Sequence, residues 1–472
     1  MQVTRTEIYD NQRQKGESPM ALTEQLPSQL EKRIILLTAS LERHCRNIFL
    51  KLAEVRVENA QILADFITAE QNEINIKDST KEWKIKIVFQ LSAFHGHAKS
   101  FKDMTKDDIL AYLNKLRKSE SDDPTHKWIG TYNNRQMLLN KFFRWLYNPD
   151  EPDHRQRVTP PCMRGVKRLP RKEKSPYKPS DIWTTEEHAV FLKYCPMKRD
   201  RCYHAMAYDT SARPHELLRL KIKDIKFKLS TDGAQYVEIL VSGKTRPRTL
   251  PLISSIPYIK EWLQEHPLHN NPEAALFLSL GDSNYGRPIT RDGLWWHFAK
   301  HYRTKYFPRL LEEPAVPATD KEHIKSMIAK PWNLYIFRHS ALTQKSQILK
   351  ETTLRDHAGW TMSSKMPQVY LHYFGTESSN SLLEAYGIIK HSQRQIEILK
   401  SKACHNCNEP NKPDQRFCFK CKMVLTYDAY KDTLNQEESK EERLKVVQDQ
   451  LQDLYRQLYR QGLIKDQPGE SG

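Results

Sequence analysis

Long apolar runs are missing from this chain. Stretches such as Ile34-Ile35-Leu36-Leu37 fall far short of a membrane span, so no membrane partner is expected. The first thirty residues hold neither an apolar leader core nor a small-residue cleavage site, and the expectation is a chain that is not secreted. Cysteine is scarce outside one cluster: Cys45, Cys162, Cys195 and Cys202 are scattered, which reads as incidental thiols and fits a reducing, cytoplasmic setting. Acids are in deficit, with 58 Asp and Glu against 75 Lys and Arg, a net charge of +17. With a pI near 9.3, that balance favours a polyanionic partner. The 38% hydrophobic content still supplies cores, and 472 residues exceed one ordinary domain.

Residues 1–30 are polar and without period, and are expected to be loosely ordered. From 31 to 150 the signals are helical. Ser79-Thr80-Lys81-Glu82 and Thr105-Lys106-Asp107-Asp108 match capping boxes, and a helix from about Thr131 carries Leu138, Leu139, Phe142, Phe143 and Leu146. This predicts a compact all-α domain. Residues 151–182 are proline-rich and basic, with Arg164, Lys167, Arg168, Arg171, Lys172 and Lys174 against Glu173. They are expected to form an interdomain linker, either solvated or laid along a phosphate backbone. Residues 183–398 begin with a helix at Thr184, continue through a β-hairpin of residues 236–241 and 248–252 with Lys244 at its tip, and are otherwise mainly helical. The expected fold class is mainly α with a small β-hairpin or sheet.

Two arginines, a lysine and a tyrosine carry the chemistry. Planar guanidinium forks suit the non-bridging oxygens of a phosphoryl transition state, and Arg213 and Arg338 are the candidates. A lysine on a hairpin that can reach the site suits protonation of a leaving oxygen, which points to Lys244. Tyr370 is the candidate nucleophile; a phosphotyrosyl ester stores the bond energy, so religation needs neither ATP nor a catalytic cofactor.

These segments resemble the tyrosine recombinases of the phage-integrase family over about residues 35 to 390. Ala212-Arg213-Pro214-His215-Glu216-Leu217 is similar to the first arginine box, Ser242-Gly243-Lys244-Thr245-Arg246 to the lysine segment, and Tyr335-Ile336-Phe337-Arg338-His339-Ser340 to the second arginine box. Ala358-Gly359-Trp360-Thr361 through Val369-Tyr370-Leu371-His372 is similar to the nucleophile segment in its archaeal form. The resemblance implies an α+β catalytic domain behind a helical core-binding domain. It implies that Arg213 and Arg338 bind the scissile phosphate, Lys244 is the general acid, Trp360 donates to a phosphate oxygen and Tyr370 attacks. Glu216 takes the place of the acidic residue that orients the site. The implied activity is site-specific recombination through a 3′-phosphotyrosyl intermediate, for a mobile element or chromosome resolution, by a tetramer on two double-stranded DNA sites. The chain departs from the family at Tyr335, where His or Lys is usual; the adjacent His339 is a possible substitute. Tyr373, one helical turn on, is the rival nucleophile. The alternatives are a non-catalytic DNA-binding protein derived from a recombinase and a type IB topoisomerase.

Cys404-His405-Asn406-Cys407 and Cys418-Phe419-Lys420-Cys421 form two Cys-x-x-Cys knuckles separated by ten residues. Four thiolates close a tetrahedral site, so a structural Zn²⁺ in a zinc ribbon over 402–425 is expected. In the remaining segment, 426–472, Leu444, Val447, Leu451, Leu454 and Leu458 alternate three and four apart, an amphipathic or coiled-coil helix expected to serve self-association.

Overall fold

The computed structural model describes residues 28–170, 177–243, 247–372 and 398–461, with Tyr386 and Leu463. Lys244, Arg171, Lys172, Lys174 and Tyr373 lie outside the described residues. Two compact units divide the chain, Met1–Pro176 and Tyr177–Gly472.

In the first unit, helices α1 (Ser28–Leu37), α2 (Arg43–Val55), α3 (Val57–Ile74), α4 (Asp78–Phe94), α5 (Lys106–Asn114) and α6 (Trp128–Tyr147) enclose one apolar core. Helical spacing puts Cys45, Phe49 and Leu52 of α2 on its buried face, and Phe142 of α6 meets Phe66 and Phe101 edge-on, each at 5.1 Å. Thr105 caps α5 as its sequence predicts: the Asp108 N–H donates to Thr105 Oγ1 at 3.3 Å, and the Thr105 N–H donates to Asp108 Oδ2 at 2.9 Å. The Ser79 box does not form. Helix α4 already begins at Asp78, and Glu82 instead accepts the Glu42 N–H at the start of α2, at 2.9 Å.

Part of the stretch expected as linker is folded. Cys162, Met163 and Val166 are buried in the first unit's core, and Asn133 brackets Leu169, donating to its carbonyl at 2.9 Å and accepting from its N–H at 2.8 Å. A few apolar side chains among the charges anchor the backbone here, while Arg164, Lys167 and Arg168 point outward.

The second unit opens with α7 (Thr185–Tyr194), capped by Thr184 and Glu187, then α8 (Lys198–Thr210) and the short α9 (Pro214–Leu217). An antiparallel sheet follows, in the order β1 (Lys226–Leu229), β2 (Gln235–Val241), β3 (Arg248–Leu252). Its register pairs Ile239 with Leu250 and Val241 with Arg248. Helices α10 (Ile256–Glu265), α11 (Arg291–Trp296), α12 (Phe307–Leu310), α13 (Ala318–Ala329), α14 (Leu334–Ile348), α15 (Glu351–Ala358) and α16 (Met366–His372) surround a core that includes Trp183, Phe191, Phe298, Trp332 and Phe337, with a π-helical stretch at His297–Tyr306. The two-stranded β4 (Lys402–Ala403) and β5 (Pro410–Asn411) precede α17 (Tyr427–Arg460). The described residues are thus mainly α with two small sheets, the expected class.

Candidate active site

Four segments of the second unit deliver the site. Helix α8 stops at Ser211, whose left-handed backbone (φ 51°) turns its carbonyl toward Arg338. Arg213 then caps α9, where Pro214 occupies the first helical position with its fixed φ. The Arg213 N–H donates to Glu216 Oε2 at 2.8 Å, and its guanidinium Nη1 donates to Glu216 Oε1 at 2.9 Å.

Glu216 is fully buried and serves a second cation that the sequence reading missed. Arg248 Nη1 and Nη2 donate to its two oxygens at 3.2 and 2.9 Å, and Arg248 Nε donates to the His357 carbonyl at 2.8 Å. The signal for Arg248 lies in strand alternation: it shares the inward face of β3 with Leu250 and Leu252, and an inward arginine needs a buried acid. Burial alone would raise the Glu216 carboxyl, but hydrogen bonds from Arg248 and Arg213 hold it down at about 2. The backbone runs so close to this carboxylate that a Cβ on Gly243 would lie 2.0 Å from Glu216 Oε1.

Arg338 enters from α14, which Asn333 caps by accepting the N–H groups of Tyr335 and Ile336. Its guanidinium is buried and donates to the Ser211 carbonyl at 2.5 Å and the Ala358 carbonyl at 2.9 Å. Burial lowers it to about 10, and Arg213 adds to that shift while Tyr370 and Glu216 oppose it, so the two arginines share one electrostatic neighbourhood. Tyr335, three residues earlier, is 39% exposed.

Helix α15 ends in a Schellman turn. Gly359 is left-handed (φ 68°), the Trp360 N–H donates to the Arg355 carbonyl at 2.9 Å, and the Gly359 N–H donates to the Asp356 carbonyl at 3.1 Å. A Cβ on Gly359 would also meet Arg248 Nη1 at 2.7 Å. The turn buries Trp360 in a small satellite core with Leu342, Leu354, Ala358 and Tyr370. Tyr370, from α16, lies between two rings: Trp360 at 5.3 Å with planes 24° apart, and His339 at 5.6 Å with planes 23° apart. The Tyr370 hydroxyl and His339 Nδ1 are 2.8 Å apart. Arg213, Arg338, Trp360, Tyr370, Glu216 and His339 therefore meet at one place. Such a site offers two cations and a phenol to an incoming phosphate ester.

The four C-terminal cysteines also converge, with all Sγ atoms within 4.8 Å of one another. The two closest pairs, Cys404 with Cys421 at 3.5 Å and Cys407 with Cys418 at 3.6 Å, are too long for disulfides and close to the sulfur spacing around a tetrahedral metal. Each knuckle is followed by a left-handed residue, Asn408 (φ 57°) and Lys422 (φ 63°). The cluster can hold a metal ion. Its module lies against α10, where Lys412 Nζ donates to Glu261 at 2.7 Å and Lys260 pairs with Glu409.

Comparison with solved structures finds a XerH site-specific recombinase bound to palindromic difH substrate, 16% identical, covering 75% of this chain and 94% of that one, with a TM-score of 0.47. A lambda integrase dimer bound to a COC′ core site is 14% identical, covering 66% and 76%, with a TM-score of 0.43. The Tn1549 transposon integrase in complex with transposon right end DNA is 14% identical, covering 69% and 99%, also at 0.43. A comparison with curated proteins found no match. The phage integrase family matches residues 184–373, a span that contains both arginines, the indole and the phenol described above. This part of the chain is similar to the phage integrase family.

Proposed function

We propose that the chain is a site-specific DNA recombinase that breaks and rejoins strands through Tyr370. The observation that carries this reading is the convergence of Arg213, Arg338, Trp360 and Tyr370 inside the family match. Arg213 and Arg338 hold the scissile phosphate, and the Trp360 indole donates to one of its oxygens. Tyr370 attacks to form a 3′-phosphotyrosyl bond, while Lys244 protonates the departing 5′ oxygen. Glu216 fixes Arg213. The net charge of +17 and the outward Arg164, Lys167 and Arg168 support a duplex DNA partner, with Arg171, Lys172 and Lys174 continuing the same basic run. Cys404, Cys407, Cys418 and Cys421 hold Zn²⁺, which supplies a structural cross-link and no open coordination position. Self-association runs through α17, whose Leu444, Val447, Leu451 and Leu454 are all more than half exposed.

The test uses a duplex that the protein itself selects by binding from a random-sequence pool, nicked at successive positions so that cleavage traps the enzyme. A covalent adduct on a denaturing gel with wild type, absent with Tyr370→Phe, is the expected result. An adduct with both moves the nucleophile to Tyr373. Specific binding without an adduct supports the non-catalytic reading, with Tyr335 as the departure that explains it.

A further inference from the structure

We propose that His339 is a catalytic residue that takes the Tyr370 hydroxyl proton as that oxygen attacks phosphorus, a role that rests on the strand-cleavage reading above. The two side chains are held for this transfer. His339 Nδ1 stands 2.8 Å from the Tyr370 hydroxyl. Tyr177 packs on the imidazole at 4.6 Å and Trp360 on the phenol at 5.3 Å, so neighbouring rings restrain both partners. His339 also follows Arg338 directly on α14, which ties the proton acceptor to a phosphate-binding cation through one peptide unit.

Accepting a proton at Nδ1 requires the neutral imidazole with its hydrogen on Nε2. Burial, reinforced by Arg338, lowers His339 to about 4, which leaves it neutral at pH 7. The groups that face it are Arg338 on its own helix, Tyr370 on α16 and Tyr177 ahead of α7. A phosphate diester held by Arg213 and Arg338 adds negative charge at this place. It offsets Arg338 and favours the imidazolium at the moment the phenol loses its proton.

The step balances within the site. The Tyr370 oxygen forms a bond to phosphorus, its proton moves to Nδ1, and the bond from phosphorus to the 5′ oxygen breaks as that oxygen is protonated by a separate acid. On rejoining, the 5′ hydroxyl returns its proton to that acid as its oxygen bonds to phosphorus, the bond from phosphorus to the Tyr370 oxygen breaks, and that oxygen recovers its proton from Nδ1.

His339→Asn separates proton transfer from positioning, because the amide oxygen accepts a hydrogen bond where Nδ1 stood but does not take the proton. On the selected nicked duplex, His339→Asn and His339→Ala are both expected to form adduct at least about 100-fold more slowly than wild type, with unchanged DNA affinity and melting temperature. Relative to wild type, the deficit narrows as pH rises, because hydroxide then competes with the imidazole as proton acceptor. Added imidazole partly restores His339→Ala. Adduct formation by His339→Asn within about threefold of wild type would overturn the proposal and leave His339 a positioning residue; so would a deficit that stays constant with pH. Absence of an adduct with wild type overturns the cleavage reading itself, and with it this one.

Discussion

Replacing Glu216 with Gln changes one oxygen for an amide and removes the carboxylate that, among the described residues, serves both Arg213 and Arg248. Four hydrogen bonds converge on this buried group: one from the Arg213 N–H at 2.8 Å, one from its guanidinium at 2.9 Å, and two from Arg248 at 3.2 and 2.9 Å. A glutamine keeps one acceptor oxygen and turns its amide hydrogens toward a guanidinium, leaving two clustered cations short of counter-charge beside Arg338. Breaking a buried pair of this kind costs about 3–5 kcal/mol. The carboxyl gives an independent figure: held at about 2 rather than an ordinary 4.5, it contributes about 3 kcal/mol at neutral pH. The sign follows from the depressed value. The contribution is complete above pH 4.5 and disappears as the pH falls toward 2. Thermal melting at pH 7 should therefore place Glu216→Gln roughly 6–15 °C below wild type for a unit of this size. The two proteins should converge as the pH is lowered through that window, for as long as both remain folded. A melting difference under about 2 °C at pH 7 would refute the reasoning, because Arg213 and Arg248 would then be compensated elsewhere.

Gly359→Ala should lose about 1–2 kcal/mol from the left-handed backbone alone. It should lose the proposed strand cleavage more steeply, since the new Cβ sits 2.7 Å from Arg248 Nη1; a variant that melts and cleaves like wild type would refute this. Elemental analysis should find one zinc per chain in the full protein and none after Cys404→Ser with Cys418→Ser. Chelation should make the segment around residues 402–425 protease-sensitive while leaving α7 to α15 protected. Removing residues 427–472 should lower the mass measured by light scattering on DNA without abolishing binding; equal masses would show that α17 does not drive association.

The sequence disclosed most where one short segment holds all the information. Thr105 with Asp108, Thr184 with Glu187, and the β2–β3 hairpin are set by neighbours a few residues apart, and the structure has them where local spacing puts them. The Ser79 box failed because Glu82 found a partner 40 residues away, which no local pattern encodes. β1 escaped notice because Lys226–Leu229 is exposed along its length, so burial leaves no mark on its sequence. The linker misled through its charge: three apolar residues among many basic ones were enough to fix the backbone. At the candidate site, residue types and order pointed to Arg213, Arg338, Trp360 and Tyr370. The role of Arg248 depends on contacts with Glu216 and His357, 32 and 109 positions away, and only the assembled fold displays it.

That same Arg248 makes the centre behave as a single cooperative unit. One guanidinium grips the carboxylate under Arg213 and the carbonyl at the end of the helix that leads to Trp360, so Arg213 and the ring against Tyr370 share one anchor. Loosening either end slackens both. Intermediate geometries, with an arginine in place but the phenol unsupported, are disfavoured together rather than one contact at a time. Such all-or-none assembly would mean a population divided between molecules with the complete arrangement and molecules without it, with few in between.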